Sequence, residues 1–133
     1  MLYIFRNYRG MNEKLQILVA DDEQVIRLLL RRILEGEGFG VTAVVNGEEA
    51  LAELKREVPA LVMLDVTMPG MNGFQVCKRI REFSNVPIVL LSGIYNDEEK
   101  ALATAAGATE FITKPFFPKE LTARIKDILK ANS

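Results

Sequence analysis

ALVMLDVTMPGMNG, residues 60–73, is the stretch on which the fold of this chain turns. Ala60 to Leu64 is a short apolar run after Pro59, long enough for a strand buried on both faces. It ends on one acid, Asp65. The string Met-Pro-Gly-Met-Asn-Gly at 68–73 is rich in turn formers, so the acid sits where a strand stops and the chain turns toward a helix. In open parallel sheets that edge is where ligands bind. Taken alone, Asp65 reads equally well as a polar end to an apolar strand.

Working outward, the same strand–turn–helix unit recurs. Leu15 to Ala20 reads as a buried strand ending on the pair Asp21-Asp22. A helical pattern follows, with Val25, Ile26, Leu29, Leu30, Ile33 and Leu34 expected to face the core and Arg27, Arg31 and Arg32 outside it. Gly36, Gly38 and Gly40 close that helix. Val41 to Val45 reads as the second strand. Asn46 three residues ahead of Glu49 predicts a capped helix running to about Glu57, and Asn72 with Gln75 predicts another after the central strand. Cys77 falls on the apolar face of that helix, as a core filler. Pro87 to Leu91 is the fourth strand, ending on Ser92-Gly93. Asn96 and the acids at 97–99 open an alanine-rich helix that Gly107 stops. Glu110 to Thr113 is a short fifth strand before Lys114-Pro115, and Pro118 opens a last helix with Leu121, Ile125, Ile128 and Leu129 inward. Residues 1–14 match no period and are expected to be a loose tail ahead of one domain spanning 15–131.

Five strands alternating with five helices through short loops imply an α/β fold, a doubly wound parallel sheet with right-handed crossovers. The alternation does not dictate strand order. The flavodoxin-like order 2-1-3-4-5 is the expectation at this size.

With 133 residues, the chain has room for one ordinary core and not two. A formal net charge of −1 gives no global field toward nucleic acid or anionic lipid. No apolar run approaches the ~20 residues of a membrane span, and the first ten residues are too short and interrupted for a secretory signal. The single cysteine cannot form an internal disulfide and fits a reducing, cytoplasmic setting. Histidine is absent, which excludes histidine-dependent triads, the usual zinc sites and a phosphohistidine carrier. No Gly-x-x-x-x-Gly-Lys stretch exists, which excludes a P-loop nucleotide binder.

Four of the five strands finish on polar residues at one sheet edge: Asp21-Asp22, Asp65, Ser92 and Lys114. Singly, each has an ordinary account: Asp22 as a helix cap, Ser92 as a strand end, Lys114 as a surface lysine. In the expected order strands 1 and 3 are neighbours, so three carboxylates converge and repel by a few kcal/mol without a cation. Such a cluster calls for a hard divalent ion, and Mg²⁺ suits a few carboxylates plus water. A metal site, a nucleophilic carboxylate, a hydroxyl and a lysine are the parts phosphoryl transfer requires.

The motifs LVADDE at 18–23, MLDVTMPGMNG at 63–73, LLSG at 90–93 and FITKPF at 111–116, in this order and spacing, closely resemble a response-regulator receiver domain of two-component signalling. The resemblance covers residues 15 to about 131. It implies that Asp65 accepts a phosphoryl group from a histidine kinase, a phosphotransfer protein or a small acyl phosphate. It further implies that Asp21, Asp22, Asp65 and the backbone carbonyl of Thr67 hold Mg²⁺, that Lys114 pairs with the phosphoryl oxygens, and that Ser92 and Phe111 are the switch hydroxyl and switch aromatic. Such a protein is not an enzyme on other molecules; it catalyses only its own phosphorylation and dephosphorylation. The implied output is a change on the surface of helix 4, strand 5 and helix 5, read by a downstream protein target.

Three positions depart from the commonest family pattern. Ser92 stands where threonine is also common, Gly93 where alanine is frequent, and Phe111 where tyrosine often occurs. None removes a reacting group. An aspartate-nucleophile phosphatase would need a second acid two residues after Asp65, where this chain has Thr67. An interaction module without chemistry would be favoured by loss of a carboxylate or the lysine, and all four are present. The expectation is therefore a stand-alone receiver that binds no DNA itself, with no membrane segment.

Overall fold

The computed structural model describes residues 14–132. Its elements alternate strictly: β1 (Gln16–Ala20), α1 (Gln24–Gly36), β2 (Gly40–Val44), α2 (Gly47–Arg56), β3 (Leu61–Asp65), α3 (Gly73–Arg81), β4 (Ile88–Ser92), α4 (Asp97–Ala106), β5 (Glu110–Thr113) and α5 (Pro118–Ala131). All strand pairs are parallel and the order is β2-β1-β3-β4-β5, as expected from the sequence. The expected loose tail lies outside the described residues, apart from Lys14, which forms an isolated bridge.

Alternation along the strands divides the core in two. Ile17, Val19, Leu61, Met63, Val89 and Leu91 face α1 and α5, meeting Leu30, Leu34, Leu121 and Ile125. Leu18, Ala20, Val62, Leu64, Ile88 and Leu90 face α2, α3 and α4, meeting Leu54, Val76, Cys77, Ile80 and Ala106. Burial on both faces explains why β3 reads as an unbroken apolar run. Cys77 is fully buried, and its thiol donates to the Ala106 carbonyl oxygen at 3.3 Å.

The helix starts follow the local signals. Asn46, Asn72 and Asn96 each accept the backbone N–H three residues on, at 2.8–2.9 Å. At α3 the capping box closes, since Gln75 Oε1 accepts the Asn72 N–H at 2.9 Å. At α2, Glu49 instead accepts the N–H of Val45. Gly38 (φ 97°) and Gly107 (φ 94°) supply the left-handed residues that end α1 and α4.

The apolar face expected for α1 needs correction. Leu30 and Leu34 are buried and Ile26 packs beside them, but Val25 and Leu29 are 75% and 42% exposed, with Leu28 also outward. The reason is tertiary. α1 shares one sheet face with α5, so it buries only a narrow stripe at i, i+4, i+8, and residues about 100° around the helix remain in water. Among the described residues, no helix is long and apolar enough to cross a membrane.

Candidate functional site

The register of the sheet brings the strand ends together. β3 lies between β1 and β4, and Asp65 pairs with Leu91, one residue short of Ser92. Backbone hydrogen bonds carry the sheet past its formal ends: Asp21 N–H donates to Val44, Val66 N–H to Leu91, and Lys114 N–H to Ser92. The loops that bear the polar residues are therefore held to the sheet.

Asp21 is fully buried, Asp65 is 4% exposed, and Asp22 is exposed. One carboxylate oxygen from each lies within 4.8 Å of the others. Asp21 Oδ1 accepts the Glu23 N–H at 2.9 Å, and the Asp21 carbonyl oxygen accepts from Arg27 Nη1 at 2.7 Å. The Asp21 carboxylate, not that of Asp22, thus braces the entry to α1, whose N-cap residue is Glu23. Lys114 reaches in from the end of β5, its Nζ 2.8 Å from Asp65 Oδ1, 3.4 Å from Asp21 Oδ2 and 3.9 Å from Glu23 Oε1. The Lys114–Pro115 peptide is cis.

These neighbours shift the two central groups. Burial pushes the Asp65 carboxyl above the usual carboxylate range; the Lys114 hydrogen bond opposes this, and the charges of Asp21 and Asp22 reinforce it. Burial alone would lower the Lys114 ammonium, but hydrogen bonding to Asp65 and the charges of Asp21 and Asp65 outweigh it and hold its pKa above the ordinary value. One ammonium does not balance three converging carboxylates. A site of hard oxygen donors with excess negative charge fits a hard divalent cation such as Mg²⁺.

Two more residues from the sequence reading lie on the neighbouring strands β4 and β5. Ser92, 3% exposed at the end of β4, accepts the Ile94 N–H at 3.0 Å and shares its single proton between the Ile94 carbonyl oxygen (3.2 Å) and Glu99 Oε1 (3.3 Å). Phe111, on β5, is half-buried and stacks on Tyr95 with ring centroids 6.2 Å apart. Thr67 is exposed in the loop after β3.

Sequence reasoning missed several residues. Glu23 and Arg27 flank the acidic pair, and nothing in their spacing marks the contacts they make. Gly73 is the sharpest omission. A Cβ built there would stand 2.5 Å from the Asp65 carbonyl oxygen and 2.8 Å from Val66 Cα, so only glycine lets α3 start against the backbone of the central acid. Its place in an Asn-Gly pair reads as a turn and does not reveal that approach.

Comparison with known proteins agrees with this geometry. Residues 17–126 match the family described as response regulator receiver domain. The DNA-binding response regulator MtrA of Mycobacterium tuberculosis is 41% identical over 117 residues, covering 88% of this chain and 51% of the relative. A probable transcriptional regulator, ycf27, of Pyropia yezoensis is 43% identical over 119 residues, covering 90% and 49%. The chain thus spans about half the length of these curated relatives. Among solved structures, a putative response regulator from Chloroflexus aurantiacus superposes with a TM-score of 0.85 at 33% identity, covering 89% of this chain and 99% of that one. The receiver domain of the Francisella response regulator 1452 gives 0.85 at 28% identity, covering 90% and 100%. With its parallel sheet in the order 2-1-3-4-5 and its acids gathered at the strand ends, this chain belongs to the response-regulator receiver domain family of two-component signalling.

Proposed function

We propose that this chain is a phospho-accepting receiver in which Asp65 takes a phosphoryl group from a partner histidine kinase, a phosphotransfer protein or a small acyl phosphate. The observation that carries this reading is one buried carboxylate, 2.8 Å from an ammonium and within 4.8 Å of two further acids. An Asp65 oxygen attacks phosphorus, the bond to the donor's leaving atom breaks, and its electron pair departs with the donor. The product is an acyl phosphate on Asp65. Lys114, released from the ionised carboxylate, turns its charge to the phosphoryl oxygens.

Asp21, Asp22, Asp65 and the Thr67 backbone carbonyl are the groups that would hold Mg²⁺. When bound, the ion neutralises charge on the transferring oxygens. The phosphoryl group adds about −1.5 to −2 charge units, by analogy with other phosphorylated side chains. The Ser92 hydroxyl is the donor that answers it. Its movement frees space for Phe111 and changes the face formed by α4, β5 and α5, where a downstream protein docks. In this reading the chain works in the cytoplasm and acts on no substrate beyond its own phosphorylation and dephosphorylation. MtrA is a DNA-binding regulator, of which the matched residues cover 51%. With a net charge of −1, the chain described by this sequence makes no DNA contact of its own.

Incubation with acetyl phosphate and Mg²⁺ adds one phosphoryl mass, lost in Asp65→Ala and in chelator. An unchanged mass, where a control receiver is labelled, refutes the reading. Salt-sensitive DNA binding by the purified chain refutes its last part.

A further inference from the structure

Three helices of this fold open on the same Asn-x-x-Glu/Gln spacing, and in each the asparagine accepts the N–H of the third residue on. In two of them that third side chain turns back to the chain entering the helix: Glu49 accepts the Val45 N–H and Gln75 accepts the Asn72 N–H. In α4 it does something else. Glu99 points its carboxylate across the β4–α4 loop to the hydroxyl of Ser92, with Oε1 3.3 Å from Oγ. Asn96 Oδ1, 2.8 Å from the Glu99 N–H, pins the backbone from which that carboxylate reaches.

The Ser92 hydroxyl has one proton to give. It is spent on Glu99 and the Ile94 carbonyl oxygen, while the Ile94 N–H occupies the oxygen's acceptor side. Ser92 is 3% exposed, so water cannot readily replace a bond it loses. Donating to a phosphoryl oxygen on Asp65 therefore requires the proton to leave Glu99. An ionised carboxylate is a stronger acceptor than a neutral carbonyl, so of the two partners Glu99 is the one that resists.

We infer that Glu99 is a positioning residue acting through Ser92: its carboxylate latches the switch hydroxyl in the unphosphorylated arrangement and opposes its turn toward the phosphoryl group. The inference rests on the reading of Asp65 as phospho-acceptor and adds to it a residue that sets the threshold of the switch. Glu99 itself is half-buried, so once released it regains water while Asn96 still caps α4. The latch thus opens without dismantling the helix.

The test is a double-mutant cycle read by the affinity for beryllofluoride with Mg²⁺, the phosphoryl mimic, titrated by NMR on the full chain. Glu99→Ala tightens that affinity by at least about fivefold, the low end of usual coupling between sites, and Glu99→Gln, which keeps the acceptor without the charge, by less. In a Ser92→Ala background Glu99→Ala changes the affinity by less than about twofold, because the partner is gone. As a second measurement needing no Glu99 variant, the Glu99 carboxylate ¹³C resonance of the wild type shifts on adding beryllofluoride and does not in Ser92→Ala. Wild-type binding with an unchanged or weaker Glu99→Ala overturns the latch alone. A gain that persists in full in Ser92→Ala also overturns it, showing plain relief of charge. Failure of the wild type to bind beryllofluoride and to accept a phosphoryl group from acetyl phosphate overturns the parent reading, and the latch with it.

Discussion

Replacing Asp65 with asparagine makes the metal-free protein more stable, and the structure sets the size of the effect. The Asp65 carboxylate lies within 4.8 Å of carboxylate oxygens on Asp21 and Asp22, and 2.8 Å from Lys114 Nζ. At an effective dielectric of about 20, each carboxylate repels it by at least about 3.5 kcal/mol and the ammonium attracts it by about 6 kcal/mol. Two repulsions outweigh one attraction by about 1 kcal/mol, and burial of the Asp65 charge adds to the excess. Asparagine removes the charge, keeps the shape, and leaves Lys114 its contact with Asp21 at 3.4 Å. A gain of about 1 kcal/mol, within the usual range for a single stabilising change, corresponds to about 4 °C in Tm for a domain of this size. The effect also carries a pH signature. Folded Asp65 holds its proton more tightly than the unfolded chain does, so in the window between the two pKa values the folded state binds more protons. Wild-type stability then falls as pH rises through that window, and the advantage of Asp65→Asn disappears below it. Thermal melts in chelator, at neutral and acid pH, measure both. Added Mg²⁺ raises the wild-type Tm according to its occupancy and raises that of the variant less. An Asp65→Asn protein that melts at or below wild type in chelator refutes the reasoning, since the Lys114 pair would then outweigh the cluster.

Other substitutions probe separate parts of the site. Lys114→Ala retains Mg²⁺ binding by calorimetry but loses the NMR response to beryllofluoride; collapse of metal affinity with the response intact reverses the role given to the lysine. Gly73→Ala drives a methyl group into the Asp65 carbonyl, costs about 1–3 kcal/mol in a urea melt and slows labelling by acetyl phosphate. If labelling and stability are unchanged, α3 does not set the position of the central acid. Asn72→Ala opens the capping box of α3 and lowers stability by about 1 kcal/mol, with labelling at the wild-type rate; a larger loss would mean that the cap also supports the loop after β3.

Much of this protein is written in short-range patterns. Strand ends, helix caps and the helix-closing glycines depend on residues three to five apart, so Asn46, Asn72, Asn96, Gly107 and Pro118 could be read directly and stand where their spacing puts them. Five strands of similar length, four of them ending in polar residues, also suffice to predict that Asp21, Asp22, Asp65, Ser92 and Lys114 share one edge. What a parallel sheet aligns, strand length alone can anticipate. The contacts among those groups were not legible, because they join positions far apart along the chain. Lys114 meets Asp21 across 93 residues, and which acid it favours depends on the twist and register of the closed sheet. The α1 stripe is narrower than its periodicity implies for the same reason: periodicity marks every apolar face, but only the neighbouring α5 decides how much of it is covered. From the sequence Gly73 reads as a turn residue, and only α3 laid against the Asp65 carbonyl reveals its close approach; Glu99 reads as one of the first-turn acids that suit the helix dipole, and only the β4–α4 loop carries Ser92 within its reach. Local signals settle where elements begin and end; burial, close approach and the partners of buried charge are decided only once those elements are packed.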